Sequence, residues 1–165
     1  MPDPREPALS VEELRVQVEA GDVDTVLVAF TDMQGRLQGK RLHGRYFMDE
    51  VVSGGSEGCN YLLAVDVDMN TVDGYESSSW ASGYGDFVMK TDLETLRPTP
   101  WHEGTALVMA DLVWEDGSDV VASPRQILRR QLARLAERGW RATAGTELEF
   151  IVFRDSYEDA WRKGY

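Results

Sequence analysis

The sequence predicts an α+β fold. Three observations predict it: a pair of strand-type runs joined by turn residues over 25–42, punctuated helix starts at Ser10 and Ser123, and a long strand-type run over 142–153. The chain has 165 residues, 42% hydrophobic and 28% charged, an ordinary globular mixture that argues against wholesale disorder. That length fits one domain or two small ones.

Met1 to Leu9 carries three prolines and no periodicity, and is expected to be a mobile arm over residues 1–9. Ser10-Val-Glu-Glu13 fits a capping box, Val11, Leu14 and Val18 recur at helical spacing, and Gly21 stops the helix. Thr25 to Phe30 is β-branched and apolar, Asp32-Met-Gln-Gly35 supplies turn chemistry, and Arg36 to Leu42 alternates, so the three read as a hairpin. Arg45 to Val52 reads as a second short helix, broken by Ser53-Gly-Gly55. Tyr61 to Val65 and Asp86 to Lys90 read as short strands. Between them Asp66 to Gly85 reads as a loop long enough to be functional or disordered.

Leu96-Arg-Pro-Thr-Pro-Trp101 reads as a boundary, dividing a first unit at 10–101 from a second at 102–165. The second unit opens with the strand Thr105 to Asp111 and a turn at Asp116-Gly117. A helix follows, with Ser123 at the N-cap, Pro124 at N1, Gln126 at N3 and Gly139 as its stop. Ile127, Leu128, Leu132 and Leu135 form its apolar stripe. Arg125, Arg129, Arg130 and Arg134 lie opposite, as a solvated face or an interface for an acidic partner. Ala142 to Phe153 is the longest strand candidate, and no structure is assigned after it.

Charge removes several functions. With 17 Lys+Arg against 29 Asp+Glu the net charge is −12, which suits neither nucleic-acid phosphate nor anionic membranes. No apolar run approaches the roughly 20 residues that span a bilayer. Met1 to Ser10 has no signal-peptide core, and a single cysteine, Cys59, cannot form an internal disulfide or a structural zinc site. The expected location is the cytoplasm.

The chemistry-bearing candidates are acidic. On a strand, Glu147 and Glu149 would share one face about 7 Å apart, opposite Leu148, Phe150 and Val152. At an effective dielectric near 20 they would repel by roughly 2.4 kcal/mol. A solvated acidic face tolerates that by screening; a partly buried one needs arginines or a hard divalent cation between the carboxylates. Asp66, Asp68, Asp73, Glu76 and Asp86 make the long loop acidic, either as a solvated segment or as a site, and their spacing does not match an EF-hand. His43, His102, Cys59 and the five tryptophans read as packing residues, and no phosphate loop of the common types is visible.

Taken together, four segments resemble the glutamine synthetase family. Gly145-Thr-Glu-Leu-Glu-Phe150 resembles its G-x-E-x-E-F strand. Asp32-Met-Gln-Gly-Arg36 with Gly39-Lys-Arg41 resembles its N-terminal hairpin. Asp73-Gly74, Trp80 and Asp86 to Asp92 resemble its loop signature, and Leu96 to Trp101 resembles the linker after it. The resemblance runs from Glu12 to about Tyr165. It implies a β-grasp N-terminal domain, then the first strands and helix of a catalytic αβ barrel. It implies an ATP-dependent ligase that activates the γ-carboxylate of glutamate as γ-glutamyl phosphate for attack by ammonia or an amine. It also implies a ring-shaped homo-oligomer, commonly a dodecamer, with each active site shared between neighbouring subunits. By the same resemblance Glu147 and Glu149 bind Mg²⁺ or Mn²⁺, and Asp73 reaches a neighbour's site to bind and deprotonate the incoming ammonium. Trp80 and Asp86 match without an assigned role.

Two departures shape the expectation. Val72-Asp-Gly-Tyr-Glu76 stands where the family has F-D-G-S-S, so Glu76 replaces a small hydroxyl residue and suits a larger cationic amine, such as ethanolamine or a polyamine. The chain also stops before the remaining metal ligands, the glutamate-binding arginines and most of the nucleotide site. It is therefore expected to be an N-terminal portion, inactive alone, with Leu148, Phe150 and the helix stripe short of packing partners. The alternatives are a non-catalytic β-grasp module that caps a full-length ligase subunit, and a metal-independent structural protein.

Overall fold

A computed structural model describes residues 9–75 and 83–164. The first helix, α1 (Val11–Ala20), is closed as its sequence demands: Glu13 N–H donates to Ser10 Oγ at 3.2 Å and Ser10 N–H donates to Glu13 Oε2 at 2.8 Å. It buries Leu14 and Val18, and Gly21 ends it at φ +83°, a conformation that suits glycine.

The expected hairpin forms from β1 (Thr25–Thr31) and β2 (Leu37–His43), antiparallel with Thr25 opposite His43 and Thr31 opposite Leu37. The expected second helix forms as one helical run: α2 (Gly44–Tyr46), a π-helical turn (Phe47–Val51) and α3 (Val52–Gly54), burying Phe47, Met48 and Val51. The strands β3 (Ser56–Cys59), β4 (Asp86–Pro98) and β5 (Thr105–Val113) complete a five-stranded mixed sheet in the order β2-β1-β5-β4-β3. Only the β1–β5 pair is parallel. Period-two burial puts Val26, Val28 and Phe30 of β1 into the core with Ala106, Val108, Ala110 and Leu112 of β5. Phe30 meets Phe87 of β4 edge-to-face at 5.2 Å.

Four expectations are corrected. Tyr61 to Val65 is not a strand: Asn60–Leu63 is a 3-10 turn, and Val65 makes only an isolated bridge to Thr71. A short apolar run does not distinguish strand from helix by periodicity alone. The prolines near 100 do not end a unit. Pro98 closes β4, and Thr99 to Gly104 reverse the chain into β5, with Thr99 N–H and Oγ1–H both donating to Thr105 O. Residues on both sides of 101 share one sheet and one core.

Ala142 to Phe153 forms no strand. It runs as exposed irregular backbone, with Leu148, Phe150, Ile151, Val152 and Phe153 open to solvent, because no strand of the described residues pairs with it. The fourth correction concerns α4 (Pro124–Ala136). Its apolar stripe faces outward, with Ile127, Leu128 and Leu132 exposed, and its basic side grips the sheet. Arg125 Nε donates to Asp111 Oδ1 at 2.7 Å, and its Nη2 to Asp92 Oδ2. Arg129 Nη1 adds a 2.8 Å ion pair to Asp111. Two of the four arginines are thus paired with carboxylates of the sheet, Arg125 partly buried and Arg129 53% exposed.

One further helix, α5 (Tyr157–Lys163), was not expected. Its signals are Ser156, whose Oγ accepts from Asp159 N–H, acidic residues in the first turn, and Gly164 at φ +77°. No helix of the described residues is long and apolar enough to cross a membrane.

The start of α4 yields a testable contrast. Ser123 occupies the N-cap and Pro124 N1 as expected, but Ser123 Oγ makes no cap bond and is buried without a hydrogen-bond partner. Gln126 donates instead to Asp119 Oδ1 at 3.0 Å and Leu112 O at 3.4 Å. A bonded N-cap serine costs about 1 kcal/mol when changed to alanine. Ser123→Ala is expected to cost nothing in a denaturation midpoint and to raise it slightly, because the lost hydroxyl was desolvated and unpaired.

Candidate active-site loop

The hairpin tip is built on one carboxylate. Asp32 is 1% exposed. Its Oδ1 accepts Gln34 N–H and Arg36 N–H, both at 2.9 Å, while Oδ2 accepts Arg36 Nε–H at 2.8 Å and Gln38 Nε2–H at 3.0 Å. Gly35 takes φ +82° to close this turn. Burial is the largest single influence on the Asp32 carboxyl and pushes it up. The donors from Gln38, Arg36 and Gln34 together outweigh it and hold the group below the ordinary carboxylate value.

The tip reaches across to the loop that follows Leu63. Gln34 Nε2 donates to Val65 O at 2.9 Å, Arg36 Nη2 to Asp66 O at 3.0 Å and Arg36 Nη1 to Val67 O at 2.7 Å. Three consecutive carbonyls are thus held by two side chains. The loop also braces itself. Asp66 Oδ1 accepts Asp68 N–H and Asn70 N–H, Asp66 N–H donates to Asn70 O, and Val72 N–H donates to Ala64 O at 2.8 Å. The Asn70 backbone and side chain, the Asp68 N–H and the Arg36 charge hold the Asp66 carboxyl below its ordinary value.

Asp73 follows directly and is exposed, with Gly74 at φ +96°. Asp86 is exposed at the first position of β4. Glu76 and Trp80 lie outside the described residues. Glu147 and Glu149 are exposed on the irregular stretch that precedes α5. No three His, Cys, Asp or Glu of the described residues come together as a metal-holding group. Two carboxylates are the right donor type for a hard divalent cation, but Mg²⁺ takes near-octahedral coordination. The described residues therefore fit such an ion in chemistry and not in number. Among the described residues, the braced loop presents Asp68 and Asp73 as exposed carboxylates, and Glu147 and Glu149 form an exposed acidic pair elsewhere.

Sequence reasoning matched Asp32, Arg36 and Gly39 to a motif without finding what they do. The available signal was an Asp–Arg pair at i,i+4 around a glycine turn, with two glutamines beside it.

Comparison with known proteins matches residues 121–165 to the glutamine synthetase catalytic domain. The chain is 68% identical over 161 residues to the gamma-glutamylethanolamide synthetase of Streptomyces coelicolor, covering 98% of this chain and 35% of that protein. It is 33% identical over 154 residues to a glutamate–isopropylamine ligase of a Pseudomonas species, covering 91% of this chain and 34% of that one. The chain thus spans about a third of the length of these curated relatives. Among solved structures, a novel glutamine synthase homologue superposes with a TM-score of 0.57 at 23% identity over 70% of this chain and 27% of its own. The apo form of GmaS superposes with the same score at 22% identity over 74% of this chain and 25% of its own, a likeness of fold.

Proposed function

We propose, for a chain that belongs to the glutamine synthetase family, that it carries the amine-receiving loop and two of the metal-binding carboxylates of an ATP-dependent glutamate–amine ligase. The observation that carries this reading is the 68% identity, over nearly the whole chain, to a relative named for making a γ-glutamyl amide of ethanolamine. The reaction transfers the ATP γ-phosphoryl group to the glutamate γ-carboxylate. The amine nitrogen then attacks the acyl phosphate carbon and phosphate leaves, giving the amide, ADP and phosphate.

Asp73 is the residue of this chain that meets the amine. An alkylammonium ion must lose a proton before its nitrogen is nucleophilic, and an exposed carboxylate both attracts the cation and takes the proton. Glu76, three residues further along the sequence, adds a second negative charge, which favours a larger cationic amine such as ethanolamine over ammonia. Glu147 and Glu149 supply two oxygen ligands for Mg²⁺ or Mn²⁺, with the other ligands coming from outside the described residues. Such an ion supplies charge stabilisation during phosphoryl transfer. The exposure of Asp73 favours a site on a neighbouring subunit, within a ring-shaped homo-oligomer working in the cytoplasm. The sheet order, with β1 and β5 parallel between antiparallel neighbours, favours a β-grasp first unit that ends after β5.

The test is phosphate release by the full natural polypeptide that contains this sequence. With glutamate and ATP present, ethanolamine is expected to drive turnover, and equal or better turnover with ammonia would overturn the amine reading. Asp73→Asn is expected to lower kcat/KM for the amine by about 10²- to 10⁴-fold, with the KM values for ATP and glutamate unchanged.

A further inference from the structure

We propose that Arg36, oriented by Asp32 and assisted by Gln34, is a positioning residue that fixes the path of the loop carrying Asp73. The proposal rests on the reading of Asp73 as the residue that meets the amine.

Over its described residues the loop has little apolar burial to hold it. Leu63, Ala64 and Val65 are buried at its start, but every residue from Val67 to Tyr75 is exposed. Hydrophobic burial therefore cannot set where Asp73 stands. Polar contacts do, and the hairpin tip supplies three of them to the described part of the loop. Gln34 and Arg36 hold the carbonyls of Val65, Asp66 and Val67 at 2.7–3.0 Å. Gln38 Nε2, which also donates to Asp32, lies 3.1 Å from Met69 Sδ.

The guanidinium is suited to this role for a geometric reason. Its planar fork donates from Nε to Asp32 Oδ2 and from Nη1 and Nη2 to two successive carbonyls. A lysine has the charge without the fork, so it cannot join Asp32 and two carbonyls at fixed angles. Asp32 in turn is buried and saturated with donors, so the fork is anchored to the sheet and not to solvent. The order of support runs from β1, through Asp32 and Arg36, to the loop and then Asp73. A misplacement of about 1 Å in a reacting group can cost roughly 10²-fold in rate.

The experiment uses the full natural polypeptide and two readouts, steady-state kinetics and amide hydrogen exchange over 65–73. Arg36→Lys is expected to raise the amine KM by about 10-fold or more, leave the KM values for ATP and glutamate unchanged, and speed exchange in the loop. Gln34→Ala, which removes the Val65 contact and the 3.2 Å bond that Arg36 Nη2 donates to Gln34 Oε1 but keeps both Arg36–carbonyl bonds, is expected to move both readouts the same way by less, and it keeps the test open if Arg36→Lys folds poorly. Unchanged exchange and amine KM in both variants would overturn the proposal. So would a loss of kcat shared by all substrates with the amine KM unmoved, which is the mark of a merely structural role. Asp73→Asn separates the two readings. If it leaves amine kinetics intact, the role given to Asp73 fails. If it weakens amine use while Arg36→Lys and Gln34→Ala loosen the loop without touching the amine KM, positioning by Arg36 fails and Asp73 stands.

Discussion

Gly39→Ala is expected to lower stability by about 3 kcal/mol, with a fall in Tm of about 6–12 °C for a chain of this size. Gly39 pairs with Ala29 across the hairpin. A Cβ added there would lie 1.9 Å from Val28 O and 2.9 Å from Ala29 Cα. Both are main-chain atoms of the neighbouring strand, so no side-chain rotation relieves the clash. The strand must move, and β2, at the edge of the sheet, has one partner only, β1. Alanine at exposed Gly21 meets nothing within 4 Å and carries only the cost of its φ of +83°. Thermal denaturation of the two variants side by side checks the claim. A Gly39→Ala midpoint within a degree of the parent would mean that β2 does not lie against β1 in this register.

Asp32→Ala is expected to cost about 3 kcal/mol near neutral pH, since hydrogen bonds to a charged acceptor contribute about 1.5–3 kcal/mol each and are not additive. It strips the acceptor from two backbone and two side-chain donors and leaves Arg36 with only its loop carbonyls and Gln34. The pH dependence has a definite sign. The folded-state pKa of Asp32 lies below its ordinary value of 3.8. Its contribution is therefore present above that value and is lost as pH falls through the lower, folded-state pKa. The stability gap between parent and Asp32→Ala should stay constant from pH 7 to about pH 5 and close in strong acid. Chemical denaturation at several pH values measures it, and a gap that widened on acidification would contradict the hydrogen-bond account.

Local rules were readable where a segment supplies its own partners. The Ser10–Glu13 box, the 25–42 hairpin and the Gly21 stop depend on neighbours in sequence, and each forms as read. Reading failed where the partner is distant. Nothing in Leu96 to Trp101 announces that β5 will slip between β1 and β4, because that depends on a parallel pairing of residues far apart in sequence. The run from Ala142 to Phe153 has strand composition without a strand beside it. The pairing of Arg125 and Arg129 with the sheet was not legible because Asp92 and Asp111 sit on two other elements.

The candidate site divides the same way. Asp73, Glu147 and Glu149 were visible as motif positions, and all three stand exposed, short of a complete metal group among the described residues. The brace beneath Asp73 was invisible, because its bonds end on carbonyl oxygens, which every sequence possesses.

That choice of acceptor has an evolutionary consequence. Gln34 and Arg36 grip the chain by its peptide groups, while Val67, Asp68 and Val72 turn their side chains outward. Heritable changes at those outward positions therefore leave the grip intact. The side-chain chemistry of the loop can therefore change while the hairpin that carries it stays as it is.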